Sequence, residues 1–154
     1  MQTPPHLLTI ELVPATCWYK NLRSMLKRDE WDRLRRMVYE RAHHRCEICG
    51  GHGERWAVEC HEIWQYDDTH HVQRLAGLIA LCPACHEVKH MGLANSKGRG
   101  TIAARHLAKV NGWTLAVTNT YIKQQFDVWQ NRSQHTWRVD LAWLDQWRES
   151  HMTK

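Results

Sequence analysis

Two pairs of cysteines constrain this 154-residue chain more than any other feature of its sequence. Cys46 and Cys49 form one C-x-x-C pair, and Cys82 and Cys85 form a second. Each pair places two sulfurs on one side of a tight turn, and the two glycines after Cys49 let the first turn fold back. Two such turns supply the four soft, tetrahedral ligands that zinc prefers. We therefore predict a structural Zn²⁺ bound by these four cysteines.

The chain has six cysteines, which could instead form disulfide bonds in an oxidising compartment. Its N-terminal residues lack the basic start and apolar stretch of a secretory signal, and no apolar run approaches the roughly 20 residues that span a bilayer. We therefore expect a cytoplasmic protein with no membrane partner, where close cysteine pairs more often bind metal. The remaining cysteines, Cys17 and Cys60, are predicted as buried small apolar residues.

The length of the chain favours one compact core over two independently stable domains. We predict a single domain with an N-terminal extended segment and basic helix (1–44), a zinc-braced centre (45–91) and a helical, tryptophan-rich C-terminal extension (92–154). The formal net charge of +5 permits attraction to nucleic acid without demonstrating it. The nine tryptophans are interpreted mainly as core residues.

The stretch between Cys49 and Cys82 contains 32 residues. Common zinc ribbons have roughly 15 to 20 residues there, so an additional element must be inserted. Residues 55–68 and 72–82 are rich in β-branched and aromatic side chains and are separated by a polar tip at 67–71. The sequence therefore predicts a β-hairpin between the two cysteine pairs.

A short helix is predicted directly after the hairpin, over residues 83–90. Pro83 suits the first turn of a helix, and His86 and His90 are four residues apart, on one helical face. A strand histidine, His61, would face this helix. Histidines on a strand and a facing helix can hold one divalent metal beside a phosphate while an imidazole activates water. This arrangement suggests phosphodiester hydrolysis.

The flanking regions are predicted to be mostly helical. A basic helix is expected over 22–44, with Asp29 as a candidate N-cap. The C-terminal predictions are a loop over 95–100, helices over 101–113 and 114–132, the first ended by Asn111 and Gly112, and a short strand entering a final turn within 136–147.

Five cations are candidates to contact a phosphate backbone: Arg33, Arg36, Lys89, Lys97 and Arg99. The alternative for the two arginines of the basic helix is an ordinary solvated face. The alternative for Lys97 and Arg99 is a flexible loop.

The segments CEIC, VECHEIW and LIALCPACHEVKH, all within residues 45–91, resemble the HNH endonuclease family. That family folds as a two-stranded hairpin and a helix around a metal, often braced by a four-cysteine zinc. The resemblance implies an α+β protein with a small ββα-metal core flanked by helices. It also implies a metal-dependent endonuclease that hydrolyses DNA phosphodiester bonds. The flanking segments match no motif of the family.

The resemblance assigns roles to the histidines. The first family strand carries Asp-His or His-His, with a metal ligand followed by a general base, so that Cys60 takes the ligand position and His61 the base position. A thiolate suits Mg²⁺ poorly, which favours recruitment of Glu62 or a softer ion, Zn²⁺ or Mn²⁺. In an alternative register His61 is the ligand and Glu62 the base. His86, with His90 as a second ligand, is expected to hold the catalytic divalent metal, which is Mg²⁺, Mn²⁺, Ni²⁺ or Zn²⁺.

One family position lacks its usual side chain. The middle residue, commonly Asn, helps to orient the base, and the equivalent position by count is Gly77. His70, His71 and Gln73 are alternatives for that hydrogen bond. The departures at Cys60 and Gly77 support an alternative function. In this alternative, the chain is a non-catalytic, zinc-containing module with a degenerate HNH scaffold, which binds nucleic acid or has a regulatory role. No residue pattern in the sequence selects a substrate, distinguishes nicking from double-strand cleavage, or indicates an oligomeric state.

Overall fold

The computed structural model describes residues 8–17 and 21–151. In this part of the chain the fold is α+β, with a three-stranded sheet and helices packed on both of its faces. The elements in order are α1 (Leu22–Met25), α2 (Arg28–Arg41), β1 (Glu59–Asp67), β2 (Val72–Leu81), α3 (Pro83–Lys89), α4 (Met91–Ser96), α5 (Gly100–Asn111), α6 (Leu115–Arg132), β3 (Arg138–Asp140) and α7 (Ala142–His151).

The predicted hairpin is confirmed as the antiparallel pair β1 and β2, joined through the tip after Asp67. The Asp67 carboxylate accepts hydrogen bonds from the backbone N–H groups of Thr69 and His70, both 3.0 Å long, which stabilise the turn. A β-bulge lies between the pairings of Ile63 and Trp64. Strand β3 pairs in parallel with β2, so the sheet order is β1-β2-β3 and β1 is an edge strand.

Side chains alternate between the two faces of the hairpin and enter two hydrophobic clusters. On one face, Leu81 and Ile79 pack with residues of α3, α4, α5 and the N-terminal segment. On the other face, Trp64, Leu75 and Leu78 pack with residues of α1, α2 and α7. The hairpin is therefore the central layer, with a core on each side.

The predicted N-terminal helix is divided in two. Leu26 has an extended backbone, with ψ of 155°, and separates α1 from α2. Asp29 is not the N-cap, because α2 begins after Lys27 without any side-chain cap. Asp29 and Glu30 lie in the first turn instead, where their negative charges interact favourably with the positive end of the helix dipole.

The C-terminal region is more helical than predicted. The expected loop over 95–100 is shortened, because α4 extends to Ser96 and α5 begins at Gly100. Gly112 ends α5 with φ of 67°, as predicted for a left-handed glycine cap. The expected final turn is wrong, because α7 is a 10-residue helix that buries Leu144 and Trp147, one turn apart. No helix in the described ranges is long and apolar enough to cross a membrane.

Candidate metal centres

The four paired cysteines lie together, with their sulfur atoms within 4.8 Å of one another. Gly50, with φ of 75°, provides the left-handed turn after the first pair. Cys82 precedes the first residue of α3, and Cys85 lies in the first helical turn, with its N–H directed at the Cys82 sulfur. The predicted cysteine cluster is therefore present and could hold a metal ion such as zinc.

The closeness of these thiols makes their ionisation interdependent. Hydrogen bonds from Cys82 and Cys85 lower the pKa of Cys46, and the Cys46 sulfur in turn raises the pKa of Cys82 to about 11 and also raises that of Cys85. Four thiolates cannot share this space on their own, because their charges repel. A bound Zn²⁺ would offset this repulsion, because zinc binds cysteines in the deprotonated form.

A histidine that the sequence did not single out lies beside this cluster. His106, in α5, places its Nε2 atom 3.2 Å from the Cys85 sulfur. A hydrogen-bond donor on a thiolate ligand reduces the charge density on sulfur, as second-layer partners of metal sites commonly do. No local sequence pattern identified His106, because α5 reaches the cluster only through tertiary packing.

A second group of possible ligands is formed by His61 of β1 with His86 of α3 and His90, which follows α3. One nitrogen from each ring lies within 4.8 Å of the others. The Nε2 atoms of His86 and His90 are 3.0 Å apart. The His61 ring centroid is 5.1 Å from that of His86 and 5.2 Å from that of His90. The structure thus brings together three of the histidines selected from the sequence.

Two of these imidazoles are hydrogen-bonded to carboxylates. His86 Nδ1 donates to Glu59 Oε2 at 2.5 Å, which leaves its Nε2 directed at His90. His61 Nε2 donates to Glu11 Oε2, also at 2.5 Å. Carboxylate partners of this kind fix the tautomer and orientation of metal-binding histidines. The chemistry of this group therefore fits a metal centre.

Neither carboxylate belongs to the motifs that predict the histidines, for different reasons. Glu59 lies two residues before His61 on the same strand face, so the alternation of a strand could have identified it. Glu11 is 50 residues from His61 and comes from an extended segment. Nothing in the local sequence around Glu11 indicates that contact.

Burial favours the neutral form of two of the three imidazoles, His61 and His90. Burial lowers the pKa of His61, against the opposing effect of the Glu11 hydrogen bond. It also lowers the pKa of His90 to about 4, with a further contribution from the neighbouring imidazoles. The hydrogen bond from His86 lowers the pKa of Glu59 and keeps it ionised. Neutral imidazoles suit Zn²⁺ or Ni²⁺ better than Mg²⁺, which prefers oxygen ligands.

Cys60 does not join this group, so the expected ligand position at Cys60 is corrected. It neighbours His61 on the strand, and alternation directs its side chain to the opposite face, against the second core cluster. Burial raises the pKa of the Cys60 thiol to about 12, which disfavours the thiolate that a metal would need. His61 is the strand residue that faces the helix histidines.

Glu62 lies beside the histidines but is held by other groups. Its Oε1 accepts a hydrogen bond from the Leu22 N–H at 2.6 Å, and its carboxylate also interacts with the Trp64 side chain. Burial raises the pKa of Glu62. The side chain faces the same groove as His61. Glu62 therefore lies near the three-histidine group, although on the opposite face of β1 from His61.

The hairpin residues that were candidates for orienting a general base lie away from the three-histidine group. Gly77 pairs with Ile63 at the bulge. His70 bonds to the Asp67 carboxylate at 2.9 Å, and His71 stacks on His135. Gln73 pairs with Tyr66 in the hairpin, and its fully buried amide has no hydrogen-bond partner within 8–17 and 21–151. These side chains make no contact with the three-histidine group among the interactions described.

The histidines line a groove of about 980 Å³ that follows the edge of β1. Another part of the lining is formed by α1 and α2 and carries Arg23, Arg28 and Arg35, together with Trp31 and Tyr39. Arg35 is paired with Asp32 at 2.8 Å. The groove therefore combines a possible metal centre with cationic and aromatic side chains.

The cations predicted from the sequence lie outside this groove. Arg33 and Arg36 line a separate depression on another side of α2. Arg99 is paired with Glu87 at 2.5 Å, and Lys97 is exposed in the turn after α4. Lys89 donates to the Thr9 hydroxyl, and burial lowers its pKa. Helical periodicity explains the difference on α2, because positions 28 and 35 share a stripe that positions 33 and 36 do not.

Comparison of the chain with protein-family models, with curated protein sequences and with solved structures found no match. Any functional conclusion therefore depends on the chemistry of the two clusters and the groove. Four sulfurs form a closed ligand set, typical of a structural metal. Three imidazoles at the wall of an open groove form a smaller ligand set, which could hold a divalent metal ion.

Proposed function

We propose that this protein is a metal-dependent, HNH-type endonuclease that hydrolyses DNA phosphodiester bonds and carries a structural zinc on its four cysteines. The observation that supports this most strongly is the three-histidine group of His61, His86 and His90, which lines the same groove as arginines of α1 and α2. The proposal takes the alternative register, with His61 as a metal ligand. The position of His61 beside the two helix histidines supports that choice.

The histidines, glutamates and arginines of the groove have different roles in this proposal. The three histidines hold a divalent cation, for which Zn²⁺, Ni²⁺ and Mn²⁺ are better suited than Mg²⁺. Such a cation would offset negative charge on the scissile phosphate and on the leaving oxygen. Glu11 and Glu59 keep two imidazoles in the required orientation. The groove arginines of α1 and α2 bind the DNA backbone on either side of the reacting phosphate.

Glu62 is the candidate general base. A raised carboxylate pKa brings a base closer to the pH at which it accepts a proton efficiently, and burial raises the pKa of Glu62. The hydrogen bond from the Leu22 N–H fixes one of its oxygens in the groove wall. Glu62 would take a proton from the attacking water as the water oxygen bonds to phosphorus. The bond from phosphorus to the leaving oxygen breaks in the same reaction, and that oxygen then takes a proton from solvent.

A second function is supported by the same contacts. The Glu62 carboxylate is engaged by Leu22 and Trp64, so it is less available as a base than a free carboxylate. Gly77 offers no side chain to orient a base. A zinc-containing module that binds nucleic acid without cutting it would retain the groove arginines and the cysteine cluster while lacking the chemistry.

Plasmid cleavage distinguishes these two functions. Zinc-loaded protein is incubated with supercoiled plasmid and Ni²⁺, Mn²⁺, Zn²⁺ or Mg²⁺, and nicked and linear products are quantified. We expect cleavage with at least one transition metal, its loss in His86→Ala, and a decrease of about 10²–10⁴-fold in Glu62→Gln. His44→Ala is the matched control, because His44 is an exposed histidine after α2, outside the groove.

Two results would contradict the endonuclease proposal. One is DNA binding without cleavage for every metal, which supports the non-catalytic module. The other is cleavage by His86→Ala at the rate of the unmodified protein, which would indicate a contaminating nuclease.

A further inference from the structure

The N-terminal segment 8–13 is an extended chain fixed against the C-terminal helices. Leu8 exchanges two hydrogen bonds with the Asn111 side chain at the end of α5, each 2.9 Å long. The Ile10 N–H donates to the Tyr121 hydroxyl of α6 at 3.0 Å. These contacts place the segment beside the hairpin edge, where Glu11 meets the three-histidine group.

Glu11 contacts both β1 and the end of α3, the two elements that position that group. Its backbone N–H donates to the Lys89 carbonyl at 3.1 Å, next to His90. Its Oε2 accepts from His61 Nε2 at 2.5 Å, and its Oε1 accepts from the Trp64 N–H at 3.1 Å. The Glu11 side chain is 13% exposed and the His61 side chain 7% exposed. One residue therefore connects the strand that carries His61 to the end of α3, which carries His86 and precedes His90.

The two carboxylate oxygens of Glu11 have different hydrogen-bond partners. Both act as acceptors at once, one for an imidazole N–H and one for a strand N–H. Accepting from His61 Nε2 fixes the tautomer in which the other ring nitrogen, Nδ1, keeps its lone pair. Glutamine has the same size but only one acceptor oxygen, so it can satisfy only one of these donors.

We propose that Glu11 is a positioning residue of the metal centre, which orients His61 and joins β1 to α3, so that segment 8–13 is part of the site. This inference rests on the metal centre of the proposed function, although not on the cleavage reaction. Glu11 lies outside residues 45–91, so the site extends beyond the segment that resembles HNH proteins.

Cobalt binding tests this role without any measurement of cleavage. The full-length protein, with zinc on its cysteines, is titrated with Co²⁺ while the visible absorption of cobalt and the heat of binding are recorded. We expect Glu11→Gln to weaken Co²⁺ binding about 10–100-fold, as removal of a carboxylate behind a histidine ligand typically does. We expect Glu11→Asp, which keeps the charge on a shorter side chain, to weaken binding less and to change the cobalt spectrum.

Controls separate a positioning role from a purely structural one. Glu54→Gln removes a carboxylate from an exposed loop residue outside the groove and should leave Co²⁺ affinity unchanged. The zinc content and circular dichroism of each variant report whether the cysteine cluster and fold are intact.

Three outcomes of the cobalt titration test the role of Glu11 and the metal centre separately. Weaker cobalt binding by folded Glu11→Gln supports the inference, whether or not the protein cleaves DNA. Unchanged affinity in Glu11→Gln, with affinity lost in His86→Ala, overturns the role of Glu11 and leaves the metal centre standing. Absence of Co²⁺ binding by the unmodified protein overturns both.

Discussion

His61 and His90 are held in a neutral state by their surroundings, which has a consequence for stability. Burial lowers the pKa of both, to about 4 for His90, whereas a free histidine has a pKa of about 6.5. The unfolded chain therefore binds more protons than the folded protein between these values. Their contribution to stability is fully present above pH 6.5 or so and is lost as the pH falls toward 4.

We predict that the melting temperature, measured without added divalent metal, decreases as the pH is lowered from 7 to 4. Acid would also protonate the four cysteines of the candidate zinc site, so the informative quantity is the difference between variants. His90→Gln should lose less stability on acidification than the unmodified protein, whereas His44→Gln, altered at an exposed site, should behave like it. An identical pH dependence for His90→Gln and the unmodified protein would contradict the lowered pKa of His90.

Residue identity allowed some members of the site to be predicted. The C-x-x-C pairs and the four-residue spacing of His86 and His90 are local patterns, and the structure brings each set together. Whether His61 or its neighbours faced the helix depended on the strand register, which the sequence left open. Glu11 approaches His61 only after the N-terminal segment packs on α5 and α6.

Helix α2 presents two different cationic faces. One carries Arg28 and Arg35 into the groove, and Arg23 of α1 lines the same groove. The other carries Arg33 and Arg36, with Arg33 near Asp29 at 3.9 Å. Net charge cannot distinguish these faces, but their orientation relative to the histidines can.

We predict that the groove face, and not the other, contacts DNA. Binding of a duplex is measured by fluorescence anisotropy over a range of salt concentrations. The double variant Arg23→Gln/Arg28→Gln should bind more weakly and reduce the slope of log K against log salt by about 2, since each phosphate contact contributes about 0.9. The matched variant Arg33→Gln/Arg36→Gln removes equal charge from the other face and should retain the slope. Equal effects of the two variants would mean that DNA does not bind in the groove.

Elements bounded by strong local signals were predictable, and those fixed by packing were not. The hairpin and α3 follow from the polar tip at 67–71 and from Pro83, both of which act within a few residues. The break between α1 and α2 occurs where Leu26 is buried in the second cluster. Helix α7 is stabilised by burial of Leu144 and Trp147 against that same cluster, a contact that no local pattern shows.

At the scale of the whole molecule, one short helix serves both candidate metal centres. Cys82 and Cys85 lie at the start of α3, and His86 and His90 follow within two turns. The cysteine cluster thus fixes the beginning of the helix, while the histidines continue from it toward the groove. Metal binding to the cysteines would stabilise the frame in which the histidines meet β1, because binding free energy contributes to folding.

We propose that α3 joins two chemically different metal centres, one with sulfur ligands and one with nitrogen ligands. The most direct measurement is anomalous X-ray scattering from crystals of zinc-loaded protein that have been soaked with Ni²⁺, with data collected at the zinc and nickel edges. We expect a zinc peak among Cys46, Cys49, Cys82 and Cys85, and a separate nickel peak between His61, His86 and His90. A zinc peak at the cysteines with no peak at the histidines, at saturating Ni²⁺, would contradict the account.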